Sequence, residues 1–298
     1  MSNEIILVTG ATGKQGGATA RRLLAAGRPV RALVRDPEAP AALELAAAGA
    51  ELVVGDFDDR DSVAAAVAGV RSVFAVPPAT YNPGGWDVER EAERGEGLVA
   101  AASAAGVDHF VFTSIASFKV EGSWGTGGKR RIEAAAMASG MRWTILRPVR
   151  FMENYLLRES VVDGIANGVH RHLFPGDRPV QVIAVDDVAE IAALALLDPA
   201  RFHGRTLELA GDSILFSEAA ETITRATGIE LRYQEADESD AAALGPEIAN
   251  VWRLSRSGIG WHADIDAIRE IHPGLRTFDA WLAETGAARI KALLTAEQ

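Results

Sequence analysis

The run Ile5-Ile6-Leu7-Val8-Thr9-Gly10-Ala11-Thr12-Gly13-Lys14-Gln15-Gly16-Gly17 leaves the chain little choice of fold. A short apolar run of strand type breaks into a glycine turn, and the turn opens a helix-like segment from Gly17 to Ala26. Strand, then Gly-x-x-Gly-x-x-Gly, then helix is the order that a dinucleotide fingerprint needs. Gly10 permits the tight turn, Gly13 lets the backbone approach a pyrophosphate, and Gly16 lets the helix pack close to the strand. The first N–H groups of the helix hold the phosphate charge. Thr12, Lys14 and Gln15 share the turn and join the three glycines as candidate cofactor contacts.

A second strand, Pro29 to Val34, follows as a βαβ unit requires. Its end decides which nucleotide fits, because an acid there serves a ribose 2′-OH whereas an Arg accommodates a 2′-phosphate. The strand ends in Arg35, with Asp36-Pro37 behind it. Arg35 can make charge-assisted, bidentate bonds to phosphate, and Lys14 adds cationic charge nearby. NADP(H) is therefore the expected cofactor, with NAD(H) the alternative through Asp36.

Alternation of strands and helices continues through the first half. Glu51 to Val54 reads as a third strand, and Asp61 as the cap of a helix from Ser62 to Ala68. Asp56 and Phe57, in the loop between, are adenine-edge candidates, or else a capping and a core residue. Arg71 to Val76 reads as the fourth strand, running into a Pro/Gly-rich loop from Pro77 to Trp86. A helix from Asp87 to Ala105 leads to a fifth strand, His109 to Thr113, whose continuous apolar character fits a parallel strand buried on both faces. A helix from Lys129 to Ser139 and a sixth strand from Trp143 to Leu146 follow, the latter breaking at Arg147-Pro148. Val76 and Pro77, Thr113, and Pro148 stand at strand ends and complete the cofactor-facing set. The pattern predicts an α/β fold, a doubly wound parallel Rossmann sheet over residues 1–155.

Beyond Phe151 the pattern changes. A helix from Phe151 to Asn167, a strand from Pro179 to Ile183 and an alanine-rich helix at Val185-Asp186-Asp187, with an aspartate as N-cap, come next. A strand from Thr206 to Leu209, a Ser-capped helix from Ser217 to Thr227 and a strand from Glu230 to Gln234 follow. Two helical segments, Asp237 to Ser255 and Thr277 to Thr285, end the chain. Residues 156–298 are thus expected to form a smaller mixed α/β substrate domain, with 186–210 returning to the main sheet and the rest lying over its carboxyl edge.

The chain carries 30 Lys and Arg against 41 Asp and Glu, a net charge of −11, without a basic stripe; direct binding to nucleic acid or an anionic membrane is not expected. There is no Cys, which excludes disulfides, Cys-ligated metals and thiol switching. No apolar run reaches the ~18 residues of a membrane span, so a cytoplasmic location is expected.

Thr9 to Gly16, Arg31-Ala32-Leu33-Val34-Arg35-Asp36-Pro37 and Gly55-Asp56-Phe57-Asp58-Asp59 make the chain resemble the NmrA-like group of atypical short-chain dehydrogenase/reductases. The later matches are Leu146-Arg147-Pro148, Phe151-Met152-Glu153-Asn154-Tyr155, Val185-Asp186-Asp187-Val188-Ala189 and Leu275 to Leu282. The resemblance implies NADPH-dependent reductases, quinone reductases among them, and also NADP(H)-binding sensors that act on a regulatory protein partner.

Short-chain dehydrogenases use Tyr-x-x-x-Lys with a Ser from the end of the fifth strand, so the resemblance implies Ser114 and Lys129 as catalytic candidates. The tyrosine position holds Gly125. Lys129 then binds the nicotinamide ribose or carries the proton itself. Tyr81 is a substitute acid by position, and Tyr155 another, core packing being the competing reading of both. His170 and His172 share a face of an extended segment without an evident third ligand, so no metal site is assigned. The expected substrate is a small quinone or carbonyl compound; a quinone needs less of the protein, since solvent can protonate its reduced ring. The competing readings are the NADP(H) sensor and an epimerase or dehydratase that retains its nucleotide.

Overall fold

Seven short strands form one sheet in the computed structural model, which describes residues 4–79, 81–82, 85–117, 126–158 and 163–296, with backbone alone at 81–82 and 85–86. They are β1 (Ile6–Val8), β2 (Val30–Val34), β3 (Glu51–Val54), β4 (Ser72–Ala75), β5 (His109–Thr113), β6 (Arg142–Pro148) and β7 (Arg205–Leu209). Their order across the sheet is β3-β2-β1-β4-β5-β6-β7, and the pairs from β1 to β6 are parallel. The chain leaves β1 toward β2 and β3, then returns to β4 on the other side of β1. That reversal opens a crevice at the carboxyl ends of β1 and β4, where doubly wound sheets take their ligands.

The connecting helices are α1 (Lys14–Ala25), α2 (Pro40–Ala47), α3 (Arg60–Val67), α4 (Val88–Ala104), α5 (Thr126–Ala138) and α6 (Val185–Leu197). Every residue of β4 and β5 is buried, as two-sided covering demands. Leu7, Val73, Phe110, Phe112 and Ile145 lie fully inside the core between sheet and helices. At ~1.5–3 kcal/mol for each large side chain taken from water, this cluster is a main source of the sheet's stability. Two starts differ from expectation. α1 begins at Lys14 rather than Gly17, because Gly13 is the N-cap and the Gly17 amide already bonds the Gly13 carbonyl at 2.9 Å. α3 is capped by Asp59, whose carboxylate accepts from the Asp61 and Ser62 amides, so Asp61 lies inside the first turn.

The chain folds as two interleaved compact units. The first holds the described residues of Met1–Ile115, Gly125–Arg147 and Val188–Leu207; the second, those of Ala116–Trp124, Pro148–Asp187 and Glu208–Gln298. The second is mixed: Ile165–Ala166, Val169–His172 and Arg232–Glu235 make one small sheet, and Asp212–Ile214, Val180–Ile183 and Arg150–Phe151 another.

Several expectations for this region are corrected. Where a helix from Phe151 to Asn167 is expected, the described residues form a 3-10 turn, Met152–Leu156, and a strand at Ile165–Ala166. Asn167 and Gly168 both take positive φ, 51° and 69°, and reverse the chain into the hairpin that pairs Ala166 with Val169. α6 starts at Val185, and the Glu153 carboxylate, not Asp186 or Asp187, accepts from the Val185 amide at 3.0 Å. The helix expected from Ser217 starts at Phe216 after Leu215, without a side-chain cap. The segment from Asp237 to Ser255 is two helices, Glu238–Ala243 and Pro246–Arg256, split where Gly245 at φ 111° precedes Pro246. A helix at Ile265–Ile271 adds to the expected elements, and the final segment continues through a π-helical turn, Leu282–Gly286, into Ala287–Thr295.

Two buried histidines let acid stability test this packing. On β5, His109 donates from Nε2 to Thr144 Oγ1 at 2.9 Å, since that hydroxyl gives its own proton to the Phe202 carbonyl. Burial pulls the His109 pKa from 6.5 to about 4 and that of His172, in the second unit, to about 3. Both rings stay neutral in the folded chain while the unfolded chain takes up protons below 6.5. Stability is therefore full above that pH and falls as the pH drops toward the folded pKa values. Urea-unfolding midpoints should decline steadily between about pH 7 and about pH 4.5, and His109→Gln should flatten the decline. A midpoint unchanged over that range would refute the assignment of neutral buried rings.

Candidate functional site

The glycine turn is built from close backbone approaches. Gly10 has φ +59°, and a Cβ there would meet Val76 Cβ at 2.9 Å. Thr9 ties β1 to the end of β4, its hydroxyl accepting from the Val76 amide at 2.8 Å and its amide bonding the Phe74 carbonyl at 3.0 Å. A Cβ on Gly16 would stand 2.3 Å from the Gly10 carbonyl oxygen and 2.6 Å from that of Thr9, so only glycine lets α1 sit against β1. Gly13 is different. Its φ is −93°, an ordinary value, so a side chain there carries no backbone strain, contrary to the positive φ that a glycine-rich turn suggests. A Cβ on it would meet one atom, the Gly10 carbonyl oxygen at 3.2 Å.

Thr12, Gly13 and Lys14 are exposed, and no side chain caps α1. A helix N-terminus of this kind, with space before Gly13, fits the pyrophosphate of a dinucleotide. Gln15 is anchored by Thr113 at the end of β5, whose hydroxyl donates to Oε1 at 2.5 Å. Val76 packs on Gly10, and Pro77 is buried behind it.

Arg35 follows β2 directly and is exposed, without an ion-pair partner among the described residues. The Asp36 carboxylate is occupied by its own turn, accepting from the Glu38 amide at 2.9 Å. Past β3, Asp56 likewise accepts from the Asp58 amide at 2.9 Å, and Phe57 is half-buried against the sheet core. Asp58, which sequence reasoning passes over, is clamped by Arg94 (2.6 and 2.7 Å) and Arg90 (2.6 Å) from α4. Those hydrogen bonds, Arg94's foremost, hold its carboxyl well below the usual carboxylate range. The loop carrying Asp56 and Phe57 is thus fastened to α4.

At the carboxyl end of β5, Ser114 is buried and its Oγ has no hydrogen-bond partner among the described residues. A buried hydroxyl without a partner is costly, by ~1–3 kcal/mol, and marks a group that awaits a ligand atom or water. Lys129, on the first turn of α5, donates to Glu91 Oε1 on α4 at 2.6 Å. Gly125 and Trp124 lie outside the described residues, and so do the side chains of Tyr81 and Trp86. The backbone at Tyr81–Asn82 pairs with Gly85–Trp86.

Tyr155, His170 and His172 belong to the core of the second unit. Tyr155 lies beneath the Arg150 guanidinium, 4.4 Å from its ring centre, and burial pushes its hydroxyl pKa up, away from service as an acid. His170 and His172 do share the buried face of their strand. They pack with Phe216, 5.1 and 4.6 Å between ring centres. Among the described residues no three His, Asp or Glu side chains are grouped to hold a metal ion, and no helix is long and apolar enough to cross a membrane.

The family model of the NmrA-like family matches residues 2–257. The chain belongs to the NmrA-like family. It is 39% identical over 235 residues to the (4-alkanoyl-5-oxo-2,5-dihydrofuran-3-yl)methyl phosphate reductase of Streptomyces griseus, covering 78% of this chain and 77% of that one. It is 29% identical to quinone oxidoreductase 2 of Escherichia coli, over 80% of each chain. The fold matches that of NmrA, a negative transcriptional regulator, in complex with NADP, with a TM-score of 0.77 and 18% identity over 98% of each chain.

The glycines separate by experiment. Gly13→Val should keep the far-ultraviolet circular dichroism and the melting temperature while abolishing cofactor binding. Gly16→Ala should destabilise the fold itself by ~2 kcal/mol or more, since its Cβ collides with backbone. Normal NADPH affinity in folded Gly13→Val, by calorimetry, would refute the phosphate site.

Proposed function

We propose that this chain is an NADPH-dependent reductase of a small quinone or carbonyl compound. The observation that carries the reading is the turn of Gly10, Gly13 and Gly16, which seats α1 against β1 and leaves space before an uncapped helix N-terminus. Relatives that are reductases of small molecules support the same class of reaction. The bound cofactor supplies a hydride from its reduced nicotinamide.

The protein's part is binding, orientation and, for a carbonyl, a proton. The first turn of α1 takes the pyrophosphate. Arg35 takes the 2′-phosphate with bidentate bonds, while Asp36, engaged at Glu38, serves a 2′-OH less well, so NADP(H) is preferred to NAD(H). Val76, Pro77, Thr113 and Pro148, at their strand ends, flank the cofactor, and Asp56 and Phe57 edge the adenine. Ser114 offers its hydroxyl, which has no partner among the described residues, to an oxygen of the substrate or of the carboxamide. Lys129 binds the nicotinamide ribose. Tyr81 is the remaining candidate for an acid. An electron-poor quinone accepts hydride without an enzymic acid, which suits a chain with Gly125 where the short-chain dehydrogenase pattern has tyrosine.

The second reading is an NADP(H) sensor acting on a protein partner, and Gly125 is the residue that favours it. Absorbance at the nicotinamide band, with NADPH and a panel of quinones and carbonyls, decides between them. Multiple turnovers are expected with at least one quinone. No turnover on any acceptor, with NADPH still bound and protecting the chain from proteolysis, would establish the sensor instead. Arg35→Ala should weaken NADP(H) by ~1.5–3 kcal/mol and leave NAD(H) nearly unchanged in calorimetric titration. Equal losses for both would overturn the 2′-phosphate assignment.

A further inference from the structure

We infer that Glu91 is a positioning residue for Lys129, holding its ammonium where it meets the nicotinamide ribose. The inference rests on the reading of Lys129 as a ribose-binding group. Each residue is the fourth of its helix, Glu91 in α4 and Lys129 in α5. In a parallel sheet with helical crossovers, both helix starts face the carboxyl edge where β4 and β5 end.

The contact is buried. Glu91's side chain is 0% exposed and Lys129's 12%, with Oε1 and Nζ 2.6 Å apart. Gly128 makes the approach possible, since a Cβ there would stand 2.8 Å from the Val88 carbonyl oxygen and 3.0 Å from Glu91 Oε2. The carboxylate therefore lies against the backbone of α5 itself.

Docking of α4 on α5 does not need this pair. Arg131 already spans the two helices, reaching Glu89 at 2.6 Å and Glu96 at 2.7 and 2.9 Å on the exposed side. Nor is a buried ion pair a favoured route to stability, because desolvation offsets much of its attraction and apolar packing of equal volume often does better. Glu91 Oε2 is also buried without a hydrogen-bond partner among the described residues, a further cost that a purely structural pair would avoid. What the pair does supply is order. A lysine stem has many rotamers, and anchoring it in advance removes the cost of ordering it from cofactor binding.

The test is a double-mutant cycle on the full chain with Glu91→Gln, Lys129→Met and both together. NADPH affinity is read by calorimetry, kcat and KM with a quinone, and melting temperature without cofactor. Glu91→Gln should raise the NADPH Kd and KM about 3- to 10-fold, with kcat falling by less, and should have no further effect in the Lys129→Met background. Glu91→Asp, which keeps the charge on a shorter stem, should give a smaller loss, and it stands in for the Gln variant if that one does not fold. Additive losses would overturn the inference, showing that Glu91 acts independently of Lys129. Weakened NADPH binding in Lys129→Met but not in the Glu91 variants would overturn it too. Wild-type affinity in Lys129→Met would remove the ribose role and the inference together while leaving the reductase reading intact. Failure of the wild type to bind NADPH would overturn that reading itself.

Discussion

The contact between the backbone of Gly16 and that of Thr9 and Gly10 sets the geometry on which the first unit depends. With 2.3 Å between the position of a Gly16 Cβ and the Gly10 carbonyl oxygen, any side chain would lift α1 off β1. The same closeness aims the start of α1 at the carboxyl ends of β1 and β4. Thr9 fixes the other side by bonding across to Val76 and Phe74. The requirement for glycine at the two positions differs in kind: the fold itself needs Gly16, whereas a Cβ on Gly13 would meet only the Gly10 carbonyl oxygen, at 3.2 Å.

The later stretches that resemble the family serve the second unit as anchors. Glu153 accepts from the Val185 amide with Oε2 and from Trp281 Nε1 with Oε1, at 3.0 and 3.1 Å. Asp187, fully buried, accepts from the Arg276 amide and Nη1 at 2.9 and 2.5 Å and faces His272 Nε2 at 3.1 Å. Three stretches separated by up to 128 positions are in this way tied at two carboxylates. Burying carboxylates is tolerable here because each is met by several donors. These bonds hold the C-terminal helices to the rest of the second unit.

Much of the second unit rests on local signals that helical periodicity masks. Asn167-Gly168 is the dipeptide that most strongly favours a tight hairpin, yet the apolar residues before it read as one long helix. Gly245-Pro246 breaks the helix predicted across it, since Pro at the first helical position begins a helix and a glycine at positive φ ends one. At α3 the choice between Asp59 and Asp61 turns on which backbone reaches the extended conformation of a cap, φ −109° and ψ 99° at Asp59. Composition cannot supply that where four aspartates lie within six residues.

The sequence by itself determined the βαβ start, the glycine turn and the alternation that makes a doubly wound sheet. Those follow from local physics: strand and helix periodicity, and the backbone freedom or small size of glycine at fixed spacing. Only the tertiary structure decided which partner each buried polar group receives. Lys129 and Glu91 are 38 positions apart, Asp58 and Arg94 36, and Gln15 and Thr113 98. No periodicity links such positions; they meet because two helices pack together, or because a helix packs against a loop or a strand end. Ser114 is the sharpest case. Its place at a strand end was legible, but that its hydroxyl is buried and lacks a partner among the described residues depends on which neighbours the fold brings to it.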